Sequence, residues 1–393
     1  MPTPYLWIAL ALTAALGYWA WLRLASRPKP LQAPGATRSG LAASPVTVSP
    51  RNGGMPPPAV PTDPDVTSAP VPTELLGLVW RRETELTPQQ RQTLVTTMAH
   101  IARPPGPLLQ LLSPTFLANT SARELSELLA SEPLLAAKLL GRVNAPMYGL
   151  RRAVTAIDQA VALLGIKTVH SICVQHLLAQ AVVPTHPAQQ SVIETLWHSS
   201  AIASELGSRL GKALNLPDQG SLPTRAVLGF IGPVAIASRL PPQALNGWLG
   251  LPRHQRAQRE QALFGVNAGE IGGLLMSAWG LPPSMVDEVS GASRWLGMPV
   301  EATDPTNTPR WAMAYLCTNL GERLATGQLA SLQDHDLLSD SGTDSFFLRR
   351  YLHQPSLHLR SYLGHPAAQR LQMALQSPEV LAAVQRMLTP TEV

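Results

Sequence analysis

Between Ser121 and Leu178 one helix boundary follows another, and that punctuation constrains the fold more than any other feature of the chain. Ser121-Ala122-Arg123-Glu124 has the Ser-x-x-Glu form of a capping box, in which hydroxyl and carboxylate each satisfy a backbone N–H left unpaired at a helix start. Leu125, Leu128 and Leu129 then fall on one face. Ser131-Glu132-Pro133 restarts a helix, because a first turn tolerates proline's missing N–H. Leu135, Leu139, Leu140 and Val143 give that helix a buried stripe. Asn144 precedes Ala145-Pro146, and the residue before a proline is pushed out of the helical region, so the helix should stop there. After a loop to Arg151-Arg152, Thr155-Ala156-Ile157-Asp158 has the form of a second capping box, and Gly165 is free to take the left-handed conformation that ends a helix. Another helix should start near Lys167 and carry Val169, Ile172, Cys173 and Leu177. Helical periodicity of this kind predicts an all-α body.

The wording of these segments matters as well as their spacing. The run Glu132-Pro133-Leu134-Leu135-Ala136-Ala137-Lys138-Leu139-Leu140, then Val143-Asn144-Ala145, Tyr148-Gly149 and Ala160-Val161-Ala162-Leu163-Leu164-Gly165, resembles the HDOD family, the HD-related output domains of bacterial signalling proteins. The likeness runs from about Arg103 to about Ser293, roughly half the chain, and it implies an HDOD-like multi-helix architecture.

It also implies where a metal centre would be. In related HD-type hydrolases a histidine and then a His-Asp pair hold the metal, with further histidines downstream. Aligned on Leu196-Trp197-His198-Ser199-Ser200 and Ala226-Val227-Leu228-Gly229-Phe230-Ile231-Gly232-Pro233, Ser199 takes the first histidine position and Gly229 and Phe230 take the His-Asp pair. Pro233 replaces a following lysine, Ala268 takes another histidine position, and Ala292 and Ser293 take the final His-His pair. Neither Gly nor Phe can ligate a divalent ion through its side chain. The resemblance therefore implies a degenerate site, with no metal and no cofactor, in an apolar, carboxylate-poor groove.

Reading the residues without the family agrees. Between Gln159 and Val286 the carboxylates are Glu194, Glu205, Asp218, Glu260 and Glu270, and only Glu194 has a histidine at helical spacing, His198. His170 and His176 are six apart and do not share a helix face. No Gly-x-Ser-x-Gly elbow and no phosphate loop occurs. Cys173 and Cys317 lie in apolar helical contexts and read as buried reduced thiols. No catalytic residue is expected. If a surface is used for binding, it should be the loop that matches the family's most specific motif: Asn144, Tyr148, Arg151 and Arg152. The plainer reading makes Asn144 a helix terminator, Tyr148 a core anchor and the arginines a solvated surface.

Outside this body, Tyr5 to Leu22 is an uncharged, mostly apolar run whose extension to Leu24 would cover roughly the 30 Å of a bilayer core. Tyr5, Trp7, Tyr18, Trp19 and Trp21 cluster towards its ends, as rings do at a membrane interface. A cleaved signal peptide fits less well, since no Lys or Arg precedes Tyr5 and bulky Trp19, Trp21 and Leu22 stand where a small-residue cleavage site should be. Arg23, Arg27, Lys29, Arg38 and Arg51 follow the run, which by the positive-inside rule leaves the rest in the cytoplasm of a bacterial inner-membrane protein. Residues 27–73 hold 12 of the 38 prolines and are expected to form a disordered tether. A net charge of +5 comes from scattered Lys and Arg rather than from a basic helix, so no nucleic acid is expected as a partner.

The expected organisation is therefore a transmembrane anchor over 1–26, a Pro-rich linker over 27–73 and a helical preface over 74–102. An HDOD-like domain over 103–298 follows, then a helical extension over 299–393, in which Trp311, Ala314, Tyr315 and Thr318 suggest an amphipathic helix and three helices follow near Phe346–Leu352, His365–Leu375 and Pro378–Leu388. The function expected is a non-enzymatic, membrane-tethered signalling or scaffold module that binds a cytoplasmic or membrane signalling protein or a regulatory ligand. The alternatives are a divergent metal-dependent phosphohydrolase of a nucleotide or cyclic dinucleotide, using ligands such as His198 and Glu194, and a structural organiser with no ligand.

Overall fold

The computed structural model describes residues 69–104, 106–113, 116–130, 132–145, 150, 152–297, 306–354 and 357–388. The expected anchor, and all of the expected linker before residue 69, lie outside them. Among the described residues there are helices and no strand. No single helix among them is long and apolar enough to cross a membrane. Helices of seven or more residues are α1 Pro88–Met98, α2 Ala122–Ala130, α3 Pro133–Val143, α4 Ile157–Leu164, α5 Ile166–Gln180, α6 Pro187–Ala213, α7 Leu222–Leu228, α8 Ile231–Ala237, α9 Arg253–Phe264, α10 Ala268–Trp279, α11 Pro283–Ser293, α12 Thr308–Ala325, α13 Phe346–His353, α14 Leu357–Leu363, α15 Ala367–Leu375 and α16 Pro378–Leu388.

The start of α2 is the capping box read from the sequence: Ser121 N donates to Glu124 Oε2 at 2.7 Å and Glu124 N donates to Ser121 Oγ at 3.2 Å. Helix α3 opens with Pro133 in its first turn and ends at Asn144. The second box does not form. Helix α4 is capped by Ala156, with no side-chain bond, and begins one residue later than a Thr155 cap requires. Asp158 then contributes only as a first-turn acid, complementing the helix dipole. Gly165 has a positive φ of 80° but a ψ of 150°, outside the left-handed helical well. It turns the chain through a 113° corner straight into α5, with no spacer between the two helices.

The long helix α6 is the axis of the body, and α7 and α12 lie along it. Small residues set that spacing. A Cβ on Gly207 would stand 3.3 Å from Leu222 and Pro223, and one on Gly321 would stand 2.7 Å from Ser199 O. Helix α12 is not amphipathic: Trp311, Tyr315, Cys317, Leu320 and Leu324 are all buried on its different faces, as expected of a helix enclosed by others. Among the described residues four α-helices, not three, follow it. Short α14 was not apparent as a helix between Pro355 and Gly364, yet it buries Leu359 and Leu363 and places Tyr362 against Asp218.

The stretch before α1 is less helical than expected. Apart from one-turn helices at Thr73–Leu76 and Glu83–Glu85, it runs as a strap across α9 and α10. Arg81 N donates to Gln261 Oε1 at 2.7 Å, and Gln261 Nε2 donates to Val79 O at 2.8 Å. Glu83 N reaches Glu270 Oε2 at 3.4 Å. Leu78 seats on Gly297 and Leu86 on Gly265, where added side chains would collide with them. Helix α1 then has a full capping box, between Thr87 and Gln90.

Candidate functional site

A cavity of about 80 Å³ opens where the α7–α8 corner meets α9, α10, α11 and α12. Its walls bring together Gly229, Phe230, Ala268, Ala292 and Ser293, the positions where the family likeness implies lost ligands. Ser199 is not among them. It is buried on α6 at the crossing with α12, and its Oγ donates to Thr195 O at 2.7 Å.

Backbone proximity explains the small residues here. A Cβ on Gly232 would fall 1.8 Å from Ala268 O, and one on Gly269 would fall 1.9 Å from Ser293 Oγ. Helices α8 and α10 thus touch main chain to main chain, and α10 presses on α11 through Ser293. Asn267 starts α10 by accepting from Gly269 N at 2.9 Å, and Ala268 N donates to Glu260 Oε2 at 2.8 Å.

The groove is not apolar and carboxylate-poor. From α9 come Arg253, Arg256 and Glu260, from α12 Glu322, and from α7 Arg225. Glu322 sits between two guanidiniums: its Oε2 accepts from Arg253 Nη2 at 3.0 Å, and its Oε1 accepts from Arg256 Nη2. Burial opposes ionisation of Glu322, but Arg253 and Arg256 outweigh it and hold its pKa below the ordinary carboxylate range. Burial pushes Glu260 the other way, above that range, and the Arg256 charge only partly offsets this. Arg253 also reaches Thr318 O at 2.7 Å, and its guanidinium lies 5.7 Å over the Tyr315 ring. Arg256 lies 5.1 Å over the Trp248 ring. Asp344 closes this end, accepting from Arg253 N at 2.6 Å and from His254 N at 3.1 Å.

Arg225 forms a second node. It pairs with Asp218 and, at 3.3 Å, with Glu288, and Arg310 bridges to Glu288 at the same distance. Burial disfavours its charge, but Asp218, Tyr362 and Glu288 together outweigh the penalty and raise the guanidinium pKa. The strap supplies Trp80 to the cavity wall. Glu322 is thus engaged through both oxygens and Glu260 through one, and the fully buried side-chain atoms left without a partner on the lining residues are donors. Such a lining suits an acceptor-bearing ligand rather than a divalent cation. Among the described residues no three His, Cys, Asp or Glu side chains converge so as to hold a metal ion.

The loop candidates lie elsewhere. Asn144 Nδ2 donates to Leu140 O and Val154 O, each at 2.8 Å, and its Oδ1 accepts from Val154 N at 2.8 Å. Its amide ties the end of α3 to Val154 across the loop, which gives Asn144 the helix-terminating role. Arg152 is exposed and does not line the cavity. Tyr148 and Arg151 lie outside the described residues. Glu194 accepts from Gln190 Nε2 at 2.9 Å instead of pairing with His198, whose pKa is lowered by burial and by the Arg142 charge. Burial pushes the Cys173 and Cys317 thiols up to about 12, so neither is a nucleophile at neutral pH.

The groups that sequence reading missed are Trp80, Arg225, Arg253, Arg256, Glu322 and Asp344. A partial signal existed: Arg253, Arg256 and Glu260 recur at helical spacing, and Glu322 is the lone acid between Trp311 and Leu324.

An all-helical body with HD-type ligand positions filled by small or apolar residues defines a class: HD-related domains without the ligand set. Residues 101–294 match the family model of the HDOD domain, and the chain carries an HDOD domain over that stretch. Among solved structures, an HDOD domain protein with unknown function from Geobacter sulfurreducens aligns at 17% identity and a TM-score of 0.50, covering 75% of this chain and 98% of that one. A provisionally assigned phosphohydrolase from Shewanella amazonensis aligns at 20% identity and a TM-score of 0.44, covering 75% of this chain and 98% of that one. A provisionally assigned signal transduction protein from Marinobacter aquaeolei aligns at 18% identity and 0.45, covering 77% and 66%. No curated protein matches the chain.

Proposed function

We propose that this chain is a non-enzymatic signalling or scaffold module that recognises a partner protein or a regulatory ligand at the groove lined by Gly229, Phe230, Ala268, Ala292 and Ser293. The observation that carries the reading is the chemistry of that groove: Gly, Phe, Ala and Ser stand where the family likeness implies His and Asp, and buried Arg225 and Arg256 line it with half-buried Arg253. A divalent cation placed there would meet guanidinium groups, with both nearby carboxylates already bonded. Residues 1–26 would anchor the chain in a bacterial inner membrane, and residues 27–73 would let the body reach a cytoplasmic or membrane-bound signalling protein.

The test is metal analysis of the full purified chain together with a phosphodiesterase assay, and crosslinking followed by recovery of the bound protein from membranes. One specific signalling partner, recovered with the intact chain and lost on substitution in the groove, supports the proposal. Stoichiometric metal with turnover of a nucleotide or cyclic dinucleotide would sink it in favour of a divergent phosphohydrolase.

A further inference from the structure

Three buried side-chain nitrogens on residues that line the cavity lack a hydrogen-bond partner: Trp80 Nε1, Arg225 Nε and Arg256 Nη1. All three belong to groups that donate and cannot accept. No side-chain oxygen among the described lining residues is left over in the same way. A buried donor without an acceptor bears the full cost of its lost hydration, so the imbalance has a chemical direction. Arg225 and Arg256 are 1% and 5% exposed, which leaves them no access to bulk water.

We infer that the cavity binds a compact oxyanion, a phosphate or carboxylate group, received by Arg256 and Trp80 with Arg225 behind them. This rests on the proposed groove recognition and names its ligand class. Size agrees: about 80 Å³ holds several waters, hence a group of a few heavy atoms, and falls well short of the hundreds of Å³ that larger organic ligands occupy. Charge agrees too: the lining carries three guanidiniums, Arg225, Arg253 and Arg256, against two carboxyl groups, Glu260 and Glu322. Guanidinium groups suit oxyanions because their planar fork offers parallel donors. Trp80 is the one donor that arrives from outside the helical body, so the strap helps to define the site.

The experiment is isothermal titration of the full chain with inorganic phosphate and, separately, with acetate, at fixed ionic strength and with chloride as control. Wild type should show saturable binding of at least one oxyanion and none of chloride, and the two titrations tell which group is preferred. Trp80→Phe keeps a ring in place and removes one donor, and should weaken binding about five-fold. Arg256→Lys should weaken it at least about ten-fold. No saturable binding in wild type, equal binding of chloride, or unchanged affinity in a folded Trp80→Phe chain would each overturn the inference. No partner and no turnover enters these readings, so a failure here is separable from a failure to recover a signalling partner.

Discussion

Removing the Glu322 carboxylate tests whether the charges under the groove are truly desolvated. Its two oxygens each take one guanidinium, at 3.0 Å from Arg253 and closer from Arg256, and its side chain is 4% exposed. In Glu322→Gln the shape persists, but two buried cations lose their shared anion. Breaking a buried pair in this way costs about 3–5 kcal/mol, because the orphaned charge stays in a poorly solvated place. With two cations orphaned, Glu322→Leu should fall at the upper end of that range and Glu322→Gln at the lower, since the amide oxygen still accepts one bond. Replacing the whole triad, as Arg253→Met, Arg256→Met and Glu322→Leu together, should recover most of the loss, to within about 2 kcal/mol of wild type. Urea titrations followed by far-ultraviolet circular dichroism, at pH 7 and two salt concentrations, give these differences. A Glu322→Gln cost under about 1 kcal/mol that shrinks further with salt, as exposed ion pairs behave, would refute the burial argument. The pH direction is fixed as well. Because its pKa is depressed in the folded state, the stability Glu322 contributes is complete above about pH 4.3 and is lost as pH falls through the folded value.

Other outcomes follow from single contacts. Gly321→Ala places a methyl 2.7 Å from Ser199 O on a neighbouring helix backbone, so unfolding free energy should fall by about 1–3 kcal/mol, read by chemical denaturation. His170 is buried, its Nε2 bonds to Leu111 O at 2.6 Å, and burial lowers its pKa to about 4. Stability should therefore be full above pH 6.5 and decline by about 1.4 kcal/mol per unit as pH falls towards 4, and the urea midpoint of His170→Gln should lose that slope; an identical slope would point to other groups. Asn144→Ala removes two hydrogen bonds that close the loop onto Val154 and one to Leu140 O, costing about 2 kcal/mol and raising amide exchange at Val154.

Local features of the fold were readable because local chemistry encodes them. The Ser121 box, the Pro133 start and the Asn144 stop each depend on residues within four positions of one another. The Gly165 corner was placed but its geometry was not, since the direction of the next helix is set by packing on α6. Helix α12 looked one-sided because four of its residues fit a stripe, whereas its environment encloses every face. The same limit governed the groove. Its vacant ligand positions could be aligned by sequence, but its charges come from α7, α9 and α12, and their meeting depends on tertiary contacts. Counting carboxylates only as far as Val286 missed Glu288, Glu322 and Asp344, which complete the ion pairs.

The strap from Leu78 to Glu83 has a mechanical consequence. Its hold consists of a few main-chain bonds to Gln261 and Glu270 and the lodging of Leu78, while the helices behind it are locked by whole faces. Before that segment the chain is held by Ala69 and Val71 against the core, by buried Leu75 and by a single helical turn. Loss of the strap would uncover the indole of Trp80 and the hollow beneath it, so one wall of the interior space is lent by a segment outside the long helices.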